Sequence, residues 1–152
     1  MAQFFSLFPE TPQPRLVRQA VEIIRDGGLV VFPTDSAYAL AGRTGNADLI
    51  DRIRRIRGID ERHHLTLMVR DLSEIAHYAR VDNAQYRLIK AVTPGPYTFI
   101  LDGTKELPRR VLHPKRKTIG IRVPSHPVAA ALLAELGEAL LSATLVLPGE
   151  EE

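Results

Sequence analysis

Apolar residues along this chain alternate between helical spacing and short continuous runs. After Thr11-Pro12, apolar positions recur at helical spacing as far as Ile24, and Gly27-Gly28 ends that pattern. Residues 29–32 then form a short apolar run bounded by Gly and Pro, which is typical of a buried strand. The opening segment therefore predicts a helix followed by a strand.

The same alternation continues along the chain. A second helix is predicted at the apolar stripe Leu49, Ile50, Ile53 and Ile56, with Asn46 as its N-cap. Two more are predicted over 72–79 and 83–92, with Asp71 and Asp82 as their N-caps. A last helix is predicted over 127–136 and ends at Gly137. The same pattern predicts strands over 65–69, 97–101 and 118–123, and a last apolar segment over 139–146. Because helices and strands alternate throughout, the predicted fold class is α/β.

The last apolar segment, 139–146, is soon followed by Pro148 and three Glu residues. A strand this apolar needs cover on both faces. Three sources of that cover are open: the other predicted elements, a partner chain, or a segment that this chain lacks.

Composition narrows the class of protein. The 152 residues suffice for one domain with a core, and 45% of them are hydrophobic, as in ordinary soluble proteins. Without Cys, the chain forms no disulfide, no thiolate metal site and no Cys nucleophile. It shows no secretory leader and no run of about 20 apolar residues, so we expect a cytoplasmic protein without a membrane span.

Positive charge is concentrated in one block. Residues 107–134 contain six Lys or Arg residues and no carboxylate, whereas the formal net charge of the chain is only +2. Such a local field suits an anionic ligand. Within the block, Arg122 lies in an apolar alternation over 119–123. An Arg in a half-buried strand needs a partner, which a ligand can supply.

Lys115, Arg116 and Lys117 form the densest part of this block, and we call them the basic rim. No aromatic residue interleaves with them, so base stacking is not indicated. Two interpretations are open: the rim binds RNA or phosphate, or it is a solvated surface loop.

Polar residues follow the apolar strands, which is where ligands bind in open α/β sheets. Thr34, Asp35 and Ser36 follow the first strand, and Ser142 and Thr144 interrupt the last. Two interpretations are open: Asp35 and Ser36 bond nearby backbone amides in a turn, or Thr34, Ser36 and Tyr38 present hydroxyl groups to a small ligand, and spacing alone does not choose. Ser142 has no G-x-S-x-G context, so it is not predicted to be a nucleophile.

Arg55 and Arg57 lie at the end of the second predicted helix. Cations there interact favourably with the helix dipole, but Arg can also bind a phosphate through two parallel hydrogen bonds. Both interpretations are open. His63-His64 has no third ligand at suitable spacing, so no metal site is predicted.

Several segments together resemble one known family. They are 33–40, which resembles P-T-D-T-x-Y-G-L, Arg55-Ile56-Arg57, which resembles K-x-R, 94–101, which resembles P-G-P-x-T-x-I-L, 118–127, which resembles T-x-G-x-R-x-P-x-H-P, and 142–144, which resembles S-A-N. In order and spacing they are similar to the YrdC/YciO family, which is related to threonylcarbamoyl-AMP synthases, and in particular to its YciO branch. The resemblance implies a YrdC/RibB-like fold, a twisted mixed β-sheet flanked by helices. It also implies that 1–152 is a single domain lacking its C-terminal part.

The resemblance implies a function as well. Synthases of this family convert ATP, L-threonine and bicarbonate to threonylcarbamoyl-AMP and pyrophosphate with Mg²⁺, for threonylcarbamoyladenosine modification of tRNA. The alternative is a module that binds tRNA or double-stranded RNA through a basic concave surface, without synthase activity. Pairing of a sheet edge with a second copy would give a homodimer.

Site residues follow from the matching positions. The resemblance implies a threonine side formed by Ser36, Arg122 and Ser142, and a nucleotide side formed by Arg55, Arg57, Thr118 and Thr144. It implies no catalytic side chain and no metal ligand, so catalysis would consist of positioning and charge stabilisation. The chain departs from the family pattern at Arg55, where the family has Lys, and at Thr144, where it has Asn.

Overall fold

The fold is that of a computed structural model, which describes residues 7, 9–35, 37–45, 47–59 and 65–144. The helices are α1 (Pro14–Arg25), α2 (Ala47–Arg57), α3 (Leu72–Tyr78), α4 (Asn83–Val92) and α5 (Pro127–Leu136), with a short 3-10 helix at Arg109–Val111. The strands are β1 (Val30–Pro33), β2 (Tyr38–Arg43), β3 (Thr66–Met68), β4 (Ala79–Arg80), β5 (Phe99–Gly103), β6 (Thr118–Arg122) and β7 (Leu140–Thr144).

Within these residues, the strands form one seven-stranded sheet in the order β1-β2-β7-β3-β6-β5-β4. Neighbouring strands are antiparallel except for β3 and β6, which are parallel. The predicted α/β class is thus confirmed as a mixed sheet flanked by helices.

Helices cover the two faces of the sheet with two apolar clusters. On one face, which we call the α2 face, helices α2, α3 and α4 bury Ile53, Ile75 and Ile89 against the strands. On the opposite face, which we call the α1/α5 face, α1 and α5 bury Val21 and Leu133. The strand residues of this second cluster belong to β1, β2, β7 and the end of β3. The helices of the α1/α5 face therefore pack over one half of the sheet.

The predicted helix ends agree with the structure. Asp71 begins α3, and its side chain accepts a backbone hydrogen bond at 3.0 Å. Asp82 begins α4 in a capping box. Helix α5 occupies the predicted range 127–136 and ends at Gly137, whose φ is 76°. In the described part of the chain, no helix is both long and apolar enough to cross a membrane.

Strand β2 is not predicted by the apolar pattern. It contains Ala39, Ala41 and Gly42, residues with low strand propensity. A Cβ atom added at Gly42 would lie 2.4 Å from Cδ2 of Leu49 on α2, so the helix approaches this strand closely. Strand β2 therefore depends on close packing and not on local propensity, which explains why the pattern misses it.

The predicted apolar stripe of α2 is correct for its first three members and wrong for the fourth. Leu49, Ile50 and Ile53 are buried, whereas 56% of Ile56 is exposed. Ile56 lies in the last turn of the helix and faces away from the core. Asn46, the predicted cap, lies outside the described residues.

Strand β7 lies between β2 and β3 near the middle of the sheet. Leu141 and Ala143 pack into the cluster on the α2 face, and Leu140 packs into the cluster on the α1/α5 face. For Leu140, Leu141 and Ala143, the cover on the two faces therefore comes from clusters of the same chain. Residues 145–152 lie outside the described part.

Candidate anion-binding site

A row of polar and small residues crosses the sheet on the α1/α5 face. The strand register pairs Ser142 with Thr66, Thr66 with Gly120, and Gly120 with Ile100. Paired residues of adjacent strands point to the same face. Arg122 follows Gly120 by two positions along β6, so it also points to this face.

A small cavity lies along this row, with a volume of about 30 Å³. Its hydroxyl-bearing residues are Thr34, Tyr38, Thr66, Thr98, Ser142 and Thr144. Among the described residues that line it, Arg122 is the cation. A space of this size holds one or two waters, or a group as small as a carboxylate. The cavity therefore suits the anionic end of a small ligand.

Arg122 is the central side chain of the cavity, and only 6% of it is exposed. Its Nε and Nη2 atoms are buried and have no hydrogen-bond partner among the described residues. Buried donors of this kind are rare without an acceptor. Burial lowers the pKa of Arg122 and the charge of Asp35 opposes that effect, but an Arg side chain remains protonated. The guanidinium group thus offers two unused donors, which a carboxylate can accept together.

Asp35 fixes the position of Arg122 without occupying its donors. Asp35 Oδ2 lies 3.8 Å from Arg122 Nη2, which is an ion-pair distance and not a hydrogen bond. The same carboxylate accepts hydrogen bonds from the backbone N–H of Ser125, at 2.8 Å to Oδ2, and from that of His126. It thereby joins the β1–β2 loop to the start of α5.

The ionisation of Asp35 reflects these contacts. Burial alone would raise the pKa of this carboxyl. Hydrogen bonds from Ser125 and His126, together with the charge of Arg122, outweigh burial and hold the pKa below its usual value. Asp35 is therefore ionised wherever the protein is folded near neutral pH.

In the turn between β1 and β2, one residue makes a local contact and another makes a long-range contact. Thr34 makes the local turn, because its backbone N–H and its hydroxyl both donate to the carbonyl oxygen of Ala37, at 3.0 and 2.6 Å. Asp35 instead contacts residues about 90 positions later in the chain. Ser36, predicted to contact threonine, lies outside the described residues.

Asp35 is the site residue that sequence reasoning missed. The available signal was a charge balance: residues 107–134 contain no carboxylate, so a buried Arg122 requires a counter-charge from elsewhere. An acid directly after a strand end, at the predicted position of the site, meets that requirement.

The structure brings Arg122, Ser142 and Thr144 together at one cavity. Ser142 is 1% exposed, and its hydroxyl donates to the carbonyl oxygen of Thr66 at 3.0 Å, so its oxygen can only accept from a ligand. Thr144 is exposed at the cavity wall. Thr118 is half-buried on the same face, opposite Asp102, and lies beyond the cavity lining.

Arg55 and Arg57 lie apart from this cavity. They are in the last turn of α2, where Arg55 is exposed and Arg57 is partly buried. Neither lines the cavity, and α2 packs on the opposite face of the sheet. The described residues contain no group of His or carboxylate side chains that could hold a metal ion. His63 and His64 lie outside that part of the chain.

The basic rim, Lys115, Arg116 and Lys117, is exposed. The ring Nδ1 of His113 accepts hydrogen bonds from the backbone N–H groups of Lys115 and Arg116, each at 3.2 Å. The side chain of His113 thus fixes the backbone of the loop that carries the basic rim.

Comparison with known proteins finds relatives with a similar sequence and fold. Residues 22–152 match the Sua5/YciO/YrdC family, described as telomere recombination. The chain is 58% identical to the uncharacterised protein YciO of Escherichia coli K12 over 151 residues, covering 99% of this chain and 73% of that protein. The crystal structure of E. coli YciO superposes with a TM-score of 0.96.

Two further relatives are threonylcarbamoyl-AMP synthase of Halorhodospira halophila and Sua5 of P. abyssi. The first is 36% identical over 135 residues, covering 88% of this chain and 70% of the synthase. The second, whose crystal structure is a complex with L-threonine, has a TM-score of 0.85 at 23% identity, over 93% of this chain and 42% of that one. The likeness to the second relative concerns the fold.

Proposed function

The chain belongs to the Sua5/YciO/YrdC family, and on that premise we propose that it binds ATP and L-threonine and forms threonylcarbamoyl-AMP with bicarbonate. One observation carries the proposal: a buried guanidinium group with unused donors faces a hydroxyl-lined cavity that admits a carboxylate. Amino-acid carboxylates are ligands of this kind.

The threonine carboxylate would bind at Arg122. A hydrogen bond between an ionised donor and a carboxylate contributes about 1.5–3 kcal/mol, and two parallel bonds also fix the orientation of the carboxylate. Ser142 and Ser36 would complete the threonine side. Asp35 would keep the guanidinium group in place while the ligand enters and leaves.

The adenosine part of the nucleotide would lie beside threonine, towards Thr144 and Thr118, and its triphosphate would extend away from the cavity towards the end of α2. Arg55 and Arg57 would bind its phosphates by charge-assisted hydrogen bonds. Because the described residues contain no cluster of metal ligands, Mg²⁺ would be held by the phosphates of ATP and by water, as is usual for this ion. Its contribution would be to neutralise phosphate charge.

The chemistry needs no side-chain nucleophile. The amino group of threonine and bicarbonate form a carbamate with loss of water, and a carbamate oxygen attacks the α-phosphorus of ATP as the bond to pyrophosphate breaks. The protein would hold the two reactants in line, and its cations would stabilise the charge that develops on the phosphate oxygens. The products would be threonylcarbamoyl-AMP and pyrophosphate, and the adenylate would serve tRNA modification.

The test is exchange of labelled pyrophosphate into ATP. We expect exchange that requires both threonine and bicarbonate, and a loss of at least about tenfold in Arg122→Ala. Arg122→Lys keeps the charge but loses the planar fork, so its activity should lie between those of the wild type and Arg122→Ala.

A matched control is Arg87→Ala, an exposed cation on α4, which should leave exchange unchanged. Exchange that persists without threonine, or that Arg122→Ala leaves intact, would contradict the proposed role of Arg122. A complete lack of exchange in the wild type would contradict synthase activity.

RNA binding by the basic rim is a second candidate, favoured by the exposure of Lys115, Arg116 and Lys117 on a closed loop. We expect the affinity for tRNA or double-stranded RNA to fall linearly with salt on logarithmic axes. Replacing the three rim residues by Ala should reduce the slope by nearly one for each phosphate that the rim no longer binds. An RNA affinity that does not change in this variant would exclude the rim.

A further inference from the structure

A second cleft lies between α2 and residues 109–117, with a volume of about 460 Å³. Helix α2 packs on the α2 face of the sheet, whereas the cavity of Arg122 opens on the α1/α5 face. The two sites therefore lie on opposite sides of the sheet. A ligand could occupy the second cleft whether or not the protein has the proposed synthase activity.

The second cleft is strongly cationic. Its charged lining residues are Arg54, Arg109, Arg110, Lys117 and Asp51, so cations outnumber acids four to one. Its apolar lining residues are Ile59, Leu112 and Pro114. A pocket of this volume is within the range that holds small-molecule ligands.

Three of the four cations are held in place by contacts within the protein. Arg54 Nη2 donates to the carbonyl oxygen of Arg110 at 2.9 Å, and the guanidinium group of Arg110 forms an ion pair with Asp51. Lys117 Nζ donates to the carbonyl oxygen of Pro114 at 2.8 Å. Side chains that are already fixed lose less conformational freedom when a ligand binds.

One donor of the cluster lacks an acceptor. Arg54 Nε is buried and has no hydrogen-bond partner among the described residues. Native proteins rarely leave such a donor unsatisfied. Together with the excess of cations, this donor indicates that the cluster is arranged to receive an oxyanion.

We propose that the second cleft is a phosphate-binding site, separate from the cavity of Arg122. Arg is the side chain best suited to bind phosphate through two parallel hydrogen bonds, and three of the four cations are Arg. The apolar residues contact the part of the ligand that carries the phosphate. The source of that phosphate is either a free polyphosphate or nucleotide, or the backbone of a bound RNA.

Asp51 competes with the ligand in this arrangement. Its carboxylate neutralises Arg110 in the free protein and repels an incoming phosphate. Asp51→Asn removes that charge while keeping the shape of the side chain. The site therefore predicts a gain of affinity from this change, which loss of folding cannot imitate.

The experiment titrates the full chain with inorganic tripolyphosphate, followed by calorimetry. We expect the affinity to fall at least about tenfold in Arg109→Ala, since an exposed Arg contact to phosphate is removed, and to rise in Asp51→Asn. Arg87→Ala is the matched control, because Arg87 is an exposed cation on α4 outside the cleft lining, and the affinity of this variant should equal that of the wild type.

A second arm identifies the source of the phosphate, using an RNA duplex of about 16 base pairs. If Arg109→Ala weakens both probes, the cleft binds backbone phosphate. If it weakens tripolyphosphate alone, the ligand is a free polyphosphate or nucleotide.

Tripolyphosphate can also bind at the proposed ATP site, so the assignment to the second cleft rests on Arg109→Ala and Asp51→Asn, whose residues line the cleft and are not part of that ATP site. The proposal is overturned if the wild type binds neither probe, if Arg109→Ala binds both probes as the wild type does, or if Arg87→Ala weakens binding as much as Arg109→Ala.

Discussion

Asp35 lies close enough to Arg122 for charge attraction, but at 3.8 Å it is too far for a hydrogen bond. Its oxygens instead accept from backbone N–H groups of Ser125 and His126. The carboxylate thus provides the counter-charge that a buried guanidinium requires and leaves the donors of that guanidinium unused. This separation of roles keeps Arg122 charged, buried and available to a ligand.

Asp35→Asn tests how much the contacts of the Asp35 carboxylate stabilise the fold. The amide keeps one acceptor oxygen but places an NH₂ group where donors already converge, so we expect a loss of about 1–3 kcal/mol in the free energy of unfolding. Urea denaturation measures it. Asp102→Asn, at an exposed position on β5, is the control and should change stability by less than about 0.5 kcal/mol. Equal losses in the two variants would contradict a special role for Asp35.

The pH dependence of stability gives an independent check. The pKa of Asp35 is lower in the folded protein than its ordinary value of 3.8. Its ionised contacts therefore stabilise the fold at every pH above 3.8, and this contribution is lost as the pH falls through the lower, folded pKa. The stability difference between wild type and Asp35→Asn should be constant near neutral pH and shrink in acid. A difference that grows towards acid would refute this account.

Helix α2 approaches strand β2 closely at Gly42. A Cβ at Gly42 would lie 2.4 Å from Leu49 Cδ2 and 2.8 Å from its Cδ1, and Leu49 is fully buried. A side chain at this position therefore forces the buried Leu49 side chain to move, which costs free energy in a close-packed core. Leu49 of α2 thus occupies the space that Gly42 of β2 leaves by having no side chain.

Gly42→Ala should therefore destabilise the protein by about 1–3 kcal/mol through overpacking. Gly45, just beyond β2, is the matched control, because a Cβ there meets nothing within 4 Å. We expect Gly45→Ala to change stability by no more than about 0.5 kcal/mol. Thermal or urea unfolding of the two variants compares them directly, and equal midpoints would show that Leu49 moves aside freely.

Local signals account for the parts of the fold that the sequence predicted. Helix α5 has Pro127 in its first turn and Gly137 at its end, and its observed bounds match the prediction. Asp71 and Asp82 begin their helices through contacts with residues two or three positions away. Each of these features is decided within one turn of helix, so a pattern along the chain is enough to find it.

Contacts between distant segments account for what the sequence did not reveal. Asp35 resembles an ordinary turn residue in its local context, and its partners lie 90 and 91 positions later. The second cleft joins Arg54 to Arg110, which are 56 positions apart. Arg122 was found because its own strand is apolar and shows that a charge is buried there. The position of a counter-charge or of a neighbouring cation follows only from the folded sheet.

The middle position of β7 has a consequence for how the chain folds as it is made. Strands β1 and β2 lie on one side of it and β3, β6, β5 and β4 on the other, so β7 alone joins the two groups by hydrogen bonds. Among the described strands, β7 is the last to be synthesised. Until residues 140–144 leave the ribosome, the nascent chain presents two unjoined sheet edges. Those edges can pair with other chains in the meantime, so a chaperone that shields nascent strands would act on this protein before β7 has been made.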